Sequence, residues 1–404
     1  MATRAPSRFE FVALMAMLVS TVAFSIDAML PALPEIAAEL APEAPNRAQL
    51  ILTAFFVGLG LGTFVMGPVS DRFGRKPVIL AGLALYVAGA VLAWAAPTLE
   101  LLLLARVLQG IGAAAPRVVS LAIIRDLHSG RAMARLVSFV MLIFTLFPAV
   151  APLLGSLIME AGGSWRAVFA AFVVFATISA VWLMLRLAET LPPSSRRPLR
   201  PRPMWDTVIE MFQHPTVRLS IAVQTLCYAM LFMSIGAIQP VFDLAFGRAD
   251  SFPYWFAGIA LVAGSASLLN AALVMRLGMR RLVTFALSVQ CATTLGVLLY
   301  YLGAGTTEAG FFVFIGWQTT VFFMVGMTLG NLNAIAMDPM GHVAGMAASV
   351  IGSVASVLAA AIAVPVSLAF DGTPVPLAAG VFAVTAAAYG LMLHMGRVER
   401  RLPA

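Results

Sequence analysis

The stretch GPVSDRFGRKP, residues 67–77, lies between two long apolar runs and places four charged side chains within six residues, Asp71 to Lys76. The rest of the chain avoids charge. Of its 404 residues, 61% are hydrophobic and 11% are charged, which is less than half of the roughly 25% that is usual in soluble domains. Lipid is therefore the expected solvent for most of the chain, and the charged stretch is expected to be a loop between two membrane spans.

Twelve apolar runs of about 20 residues or more predict twelve transmembrane helices, because about 20 residues cross a bilayer as a helix. The runs lack the alternation of barrel strands, and a helix satisfies its own backbone in lipid. The first run is long enough to remain as a span rather than to be removed as a leader. We therefore predict an all-α integral membrane protein with spans near 9–31, 48–69, 77–96, 101–125, 133–158, 164–187, 218–242, 252–275, 282–303, 309–333, 343–368 and 374–396.

Basic residues alternate between the two sides of these predicted spans. Cytoplasmic loops carry an excess of Lys and Arg, so the basic side is expected to be cytoplasmic and both chain termini lie there. The net charge of +7 then reflects topology, and we expect no nucleic-acid partner. The basic side collects Arg4, Arg8, Arg72, Arg75, Lys76, Arg125, Arg131, Arg135, Arg196, Arg197, Arg200, Arg202, Arg218, Arg276, Arg280, Arg281, Arg397, Arg400 and Arg401.

The longest polar interruption divides the spans into two sets of six. Residues 188–217 are rich in Pro and Arg and are expected to form a cytoplasmic linker, with a short interfacial helix near 205–212. The predicted domains are therefore an N-terminal bundle, 1–187, and a C-terminal bundle, 218–404. SIDAMLP at 25–31 is matched by SIGAIQP at 234–240, and RFGRK at 72–76 by RLGMR at 276–280. These matches indicate a duplicated six-helix unit.

Three charged residues are the clear cases of a charge away from the ends of a predicted span: Asp27, Arg106 and Arg117. A charge in the hydrocarbon costs at least about 2.5–3.5 kcal/mol, so each needs a reason to be there. Asp27 and Arg106 are expected at similar heights, which favours a direct pair. Burial favours the protonated form of a carboxyl, whereas a nearby arginine favours the ionised form. Asp27 is therefore a candidate proton carrier. A purely structural ion pair is the alternative.

Helix geometry adds further polar groups to a predicted cavity. Eleven residues at about 100° each bring Arg117 back to within roughly 20° of the Arg106 direction, and Gln109 falls on the same stripe. Lipid cannot be what that stripe faces, so we expect an interior substrate cavity. The second half offers neutral polar side chains, either as cavity lining or as interhelical hydrogen bonds: Gln224, Tyr228, Gln239, Asn270, Gln318, Asn331 and Asn333.

Catalytic and metal chemistry is not expected. The sequence offers no nucleophile–base set and no phosphate-binding loop, so we predict that the protein is not an enzyme. Its four histidines, His128, His214, His342 and His394, are spread along the chain, and its two cysteines lie inside apolar runs. We therefore predict no metal site and no cofactor.

Six stretches carry a family resemblance that extends over essentially the whole chain. GPVSDRFGRK resembles the G-x-x-x-D-R-x-G-R-[RK] loop between helices 2 and 3 of the major facilitator superfamily, with every fixed position present. RVLQGIGAA, 106–114, looks like the superfamily's R-x-x-x-Q-G-x-G motif of helix 4, with one residue fewer before the glutamine. FPAVAPLLGS, 147–156, partly matches the helix 5 antiporter motif, and DAMLPALP, 27–34, is similar to the helix 1 motif of twelve-span drug:proton antiporters. RVVSLAIIRDL, 117–127, and HVAGMAAS, 342–349, look like the bicyclomycin-resistance-type subgroup.

The resemblance implies a proton-coupled exporter of small, mostly apolar drugs or metabolites that works by alternating access. Asp27 would be the proton-responsive carboxylate, Arg106 would sense it, and Arg117 would line the cavity. In helix 5, Pro148, Pro152 and Gly155 would shape the helix and permit close packing with helix 8. Protons, a small molecule and the lipid bilayer are the implied partners, and we expect a monomer in a bacterial inner membrane.

The charged loop is expected to be a cytoplasmic gate. Gly67 would allow a close helix approach, Gly74 a tight turn, and Asp71 would cap a helix across the bundle interface. Arg75 would meet Asp126. With Arg72, these residues form the predicted gate.

Two rival functions stay open. A proton symporter that imports a metabolite would share the fold, and Arg117 would then suit an anionic substrate. A membrane sensor or scaffold would show no flux.

Overall fold

The computed structural model describes residues 6–196, 198 and 201–399. Within these residues the regular elements are helices, and twelve helical segments are long and apolar enough to cross a membrane, which confirms the predicted spans. Five arginines assigned to the basic side lie outside the described residues: Arg4, Arg197, Arg200, Arg400 and Arg401. The helices are α1 Arg8–Asp27, α2 Leu33–Leu40, α3 Leu50–Phe73, α4 Arg75–Trp94, α5 Leu99–Leu127, α6 Gly130–Gly162, α7 Arg166–Arg186, α8 Pro201–Gln213, α9 Pro215–Pro240, α10 Phe252–Leu277, α11 Met279–Ala304, α12 Glu308–Met337, α13 Ala344–Leu368 and α14 Val375–Glu399.

Contacts between residues group the chain into two compact units. The first contains Met1–Glu43 with Ala54–Pro201, and the second contains Ala44–Thr53 with Arg202–Ala404. The short segment in the second unit is attached by Asn46, whose Nδ2 donates to the carbonyl oxygens of Leu368 at 3.2 Å and Phe370 at 2.5 Å. The last carbonyls of a helix have no partner within it, so Asn46 satisfies the end of α13.

Glycines hold three helices of the first unit in close contact. A side chain on Gly58 or Gly62 of α3 would collide with the α5 backbone or with Ala114, and one on Gly112 of α5 would collide with the α4 backbone at Tyr86. Small residues spaced four apart, as Gly58 and Gly62 are, permit such close approach in membranes. Helix α5, which carries Arg106, is therefore packed directly against both α3 and α4.

The first span is broken at its predicted proton carrier. Helix α1 ends at Asp27, a short 3-10 turn follows over Leu30–Ala32, and α2 begins at Leu33. Pro31 and Pro34 lie in the first turn of the two elements that follow the break. Proline has no N–H to donate to the preceding turn, so the pattern D-x-x-x-P-x-x-P itself ends α1 at the carboxylate.

Helix α9 lies at the centre of the second unit, where it packs against α12, α13 and α14. Pro240 ends it, and a wider π-helical turn follows over Val241–Ala245. The short helix predicted in the linker is confirmed as α8, which ends one residue before α9 begins.

Candidate functional site

Asp27 is buried at the break between α1 and the following turn. Its relative exposure is 5%, and among the described residues its carboxylate makes no hydrogen bond or ion pair. A buried charge is costly unless it is paired. Asp27 is therefore a buried carboxyl whose charge no described side chain offsets.

Arg106 is completely buried in α5, where it contacts the last turn of α1. Its Nη2 donates to the Ser25 carbonyl at 2.9 Å and its Nη1 donates to Gln109 Oε1 at 2.5 Å. The guanidinium also lies 4.4 Å from the centre of the Phe55 ring and 5.9 Å from that of Phe169. Aromatic faces attract a desolvated cation, so the rings add to the hydrogen bonds that hold the arginine in place.

The predicted ion pair between Asp27 and Arg106 is not formed in this structure. The guanidinium instead binds a backbone carbonyl two residues before the carboxylate. Because α1 ends at Asp27, the carbonyls of its last turn lack partners within the helix and can accept from a side chain. Sequence placed the two residues near each other but could not show which acceptor the arginine takes.

The helix 5 motif packs against the same break. Pro148, Pro152 and Gly155 all lie inside α6. A side chain at Gly155 would collide with the backbone carbonyl of Ala28, the residue after Asp27. The close contact described at Gly155 is therefore with the first span, and the packing of this helix on the eighth span stays a prediction.

The remaining polar residues of the α5 stripe have free hydrogen-bonding capacity. Gln109 is fully buried, and its Nε2 has no hydrogen-bond partner. Arg117 is half-buried, and the described residues give it no hydrogen bond or ion pair. Buried polar groups are normally satisfied, so these two side chains are candidates for contact with water or substrate.

The polar residues of the second unit divide into two kinds. Asn331 donates to Asn270 Oδ1 at 2.7 Å, so these two residues form an interhelical hydrogen bond, and the place of Asn331 in a cavity stays a prediction. Three buried glutamines keep amide atoms without a partner: Gln224, Gln239 and Gln318. Tyr228 is half-buried beside Phe232, with 5.7 Å between the ring centres.

The charged loop forms a compact ion-pair cluster around Arg75. Its Nε donates to Asp126 Oδ2 at 2.9 Å, and its Nη1 donates to Asp71 Oδ1 and to Ser70 Oγ, both at 2.6 Å. The predicted contact between Arg75 and Asp126 is confirmed. Gly74 separates α3 from α4 at a φ of +105°, which is accessible to glycine but strained for other residues.

Two further predicted gate residues have local contacts. The Gly67 carbonyl accepts from the Ser70 hydroxyl at 2.8 Å. The guanidinium of Arg72, which is exposed, lies over the Phe73 ring at 5.5 Å. The helix approach assigned to Gly67 and the cap assigned to Asp71 stay predictions.

Sequence reasoning missed Glu189, which binds the start of α4. Its Oε1 accepts from the Arg75 backbone N–H at 3.0 Å, and its Oε2 accepts from that of Lys76 at 3.1 Å. The Lys76 ammonium in turn donates to the carbonyls of Met184 and Leu187 at the end of α7. The available signal was that the cap position of α4 is Gly74. A glycine has no side chain to accept from the first N–H groups of a helix, so the acceptor must come from elsewhere in the chain.

The twelve apolar helices within the described residues define a multi-pass membrane protein. Residues 13–364 match the family described as the Major Facilitator Superfamily, and the chain belongs to that family. It is therefore a membrane transporter rather than an enzyme.

Two curated relatives match most of the chain, and a third matches about half of it. It is 26% identical to "Uncharacterized MFS-type transporter YdgK" of Bacillus subtilis over 98% of this chain and 97% of that protein. It is 29% identical to "Bicyclomycin resistance protein homolog" of Haemophilus influenzae, over 85% of each. It is 35% identical to "Multidrug resistance protein MdtL" of Escherichia coli, over 46% of this chain and 47% of that protein.

Solved structures support the fold. The xylose transporter XylE from E. coli, in a partially occluded inward open conformation, superposes with a TM-score of 0.73 at 11% identity, covering 96% of this chain and 97% of the other.

Proposed function

We propose that this transporter exports small, mostly apolar drugs or metabolites in exchange for protons, by alternating access of the bundles 1–187 and 218–404 joined by the linker 188–217. The observation that carries the proposal is Asp27, a buried carboxylate without a partner at a helix break. The names of two relatives, a bicyclomycin resistance homologue and a multidrug resistance protein, support the substrate class and the direction.

The proton step uses Asp27 and Arg106. When Asp27 loses its proton, the charge left in a low-dielectric interior favours a nearby cation. Arg106 would then exchange the Ser25 carbonyl for the carboxylate, and proton binding would reverse the exchange. Coupling requires only that proton and substrate prefer different conformations. The two positions of the Arg106 guanidinium, on the Ser25 carbonyl and on the Asp27 carboxylate, supply two such conformations.

Substrate contact is assigned to the polar groups that keep unused hydrogen-bonding capacity. In the first bundle these are Asp27, Gln109 and Arg117. In the second bundle neutral groups take this role, and Asn331, whose Nδ2 already donates to Asn270 and to the Met327 carbonyl, offers its side-chain oxygen. They are Gln224, Tyr228, Gln239, Gln318 and Asn331.

The Arg75 cluster is proposed to close the cytoplasmic end of the first bundle in one conformation. Basic loops are retained in the cytoplasm, which supports this orientation and cytoplasmic termini. The bacterial relatives support a bacterial inner membrane. Gly67, Asp71, Arg72 and Asp126 belong to the same gate. We expect the transporter to act as a monomer.

The direct test is proton-gradient-driven transport into liposomes that contain the purified protein. A panel that includes bicyclomycin and chloramphenicol identifies a transported compound. Asp27→Asn is expected to lose gradient-driven transport and Arg106→Lys to weaken it, because an ammonium lacks the planar fork of the guanidinium. Asp250→Asn, at an exposed loop position, is the control. Wild-type driven transport by Asp27→Asn would refute proton exchange through this residue.

Proton-coupled import is the second candidate. Its supporting observation is the half-buried Arg117 without a described partner, which would suit an anionic substrate. Cells that accumulate a panel compound when they make the protein would indicate import, and cells that exclude it would indicate export.

A further inference from the structure

A buried pair of hydroxyl groups lies at the turn that carries Asp27. The Tyr86 hydroxyl of α4 lies 2.6 Å from Ser25 Oγ of α1. Ser25 Oγ also donates to the Thr21 carbonyl at 2.6 Å. A serine hydroxyl has a single proton to donate, so Tyr86 must be the donor to Ser25.

Tyr86 is held in place by the backbone as well as by its side chain. Both Tyr86 and Ser25 have a relative exposure of 0%. The α4 backbone at Tyr86 touches α5 at Gly112, where no side chain would fit. Rigid packing therefore fixes the position of the Tyr86 hydroxyl. Because a buried hydroxyl without a partner is unfavourable, its hydrogen bond to Ser25 stabilises this arrangement.

Ser25 is bound from two helices at once. Its hydroxyl accepts from Tyr86 of α4, while its carbonyl accepts from Arg106 of α5. Both bonds act on a residue two positions before Asp27. They hold the last turn of α1 in the arrangement in which the arginine binds the backbone rather than the carboxylate.

The internal repeat provides a comparison within the same chain. Ser234 matches Ser25 and Gly236 matches Asp27 in the SIGAIQP copy. Ser234 is equally buried, but its hydroxyl has no hydrogen-bond partner. Of the two copies, the one that keeps the carboxylate is the one whose serine is bonded to a tyrosine.

We propose that Tyr86 and Ser25 are positioning residues for proton coupling: their hydrogen bond stabilises the conformation in which Arg106 is held on the Ser25 carbonyl and away from Asp27. This inference rests on the proposed role of Asp27 in the proton step. Loss of the bond removes part of the free-energy difference between the two positions of the Arg106 guanidinium. Proton coupling then weakens, while the substrate path is kept.

The test compares proton-driven transport with substrate counterflow, which exchanges labelled for unlabelled compound without a proton gradient. The probe is bicyclomycin or chloramphenicol, whichever wild-type liposomes transport faster. Tyr86→Phe keeps the ring beside Phe172 and is expected to lower driven transport about fivefold, the factor that one buried hydrogen bond supplies, with counterflow at the wild-type rate.

Further variants separate positioning from damage. Ser25→Ala should reproduce the effect, Ser25→Thr should restore transport by returning a hydroxyl, and the Ser25→Ala, Tyr86→Phe double variant should be no worse than either single one. Matched controls are Ser234→Ala and Tyr301→Phe. Tyr301 is also buried and donates to a backbone carbonyl at 2.7 Å.

Three results would overturn the inference: driven transport by Tyr86→Phe equal to wild type, an equal fall of driven transport and counterflow, or additive losses in the double variant. If Tyr86→Phe does not fold, the Ser25 variants decide the question in the same assay. Asp27→Asn is measured alongside. If Asp27→Asn keeps wild-type driven transport, the proposed proton step itself is wrong. If Asp27→Asn loses driven transport while Tyr86→Phe keeps it, only the positioning role is wrong.

Discussion

Replacement of Glu189 by alanine is expected to destabilise the first unit by releasing the start of α4. The carboxylate accepts from the first two backbone N–H groups of α4 at 3.0 and 3.1 Å, at the positive end of the helix dipole, and from the Leu191 N–H at 2.8 Å. Loss of a helix cap costs about 1 kcal/mol, and loss of a negative charge near the N-terminus costs about 0.3–1 kcal/mol more. Water already competes at this half-buried site, so we expect a total of about 1–2 kcal/mol.

Thermal unfolding of the purified protein in detergent measures this effect. In units of this size 1 kcal/mol lowers Tm by about 2–4 °C, so Glu189→Ala should melt about 2–8 °C below wild type. Glu189→Gln keeps one acceptor oxygen and should lose about half as much. Glu308→Ala is the control, because Glu308 lies in the first turn of α12 but is exposed and pairs with Arg248. Equal melting of Glu189→Ala and wild type would refute the capping argument.

Two further predictions concern helix contacts. Gly155→Ala places a side chain against the Ala28 carbonyl; we expect overpacking of about 1–3 kcal/mol and reduced driven transport, whereas Gly258→Ala, where the space is open, should transport normally. Asn331→Ala leaves Asn270 Oδ1 without its donor and should lower stability by about 0.6–2 kcal/mol, measured as a lower Tm; an unchanged Tm would contradict an interhelical role.

The charged loop shows how much of the candidate site could be predicted from the sequence. The motif predicted a turn at Gly74 and a contact from Arg75 to Asp126, and both are present. Those contacts follow from residue types in a fixed topological position. The acceptor for the start of α4 is Glu189, more than one hundred positions away along the chain, and no local pattern indicates a contact over that separation.

The same limit applies at Asp27. Its burial at the end of α1 follows from the two prolines after it and from the length of the apolar run. The partner of Arg106 does not, because the carbonyl of Ser25 and the carboxylate of Asp27 are both acceptors on the same turn. Packing of α5 against α3 and α4 decides between them, since it places the arginine on Phe55 and within reach of the carbonyl.

Sequence alone therefore determined the number of spans and the family, because hydrophobic length and the loop motif act locally. The break of the first span at Asp27 was not predicted and emerged only from the structure. Only the tertiary structure decided which buried polar groups meet. It joined Tyr86 to Ser25 and Asn331 to Asn270, and it left the amides of Gln318 without a partner. These outcomes depend on the rotation and depth of each helix against its neighbours, which differ by fractions of a turn that hydrophobic patterning does not specify.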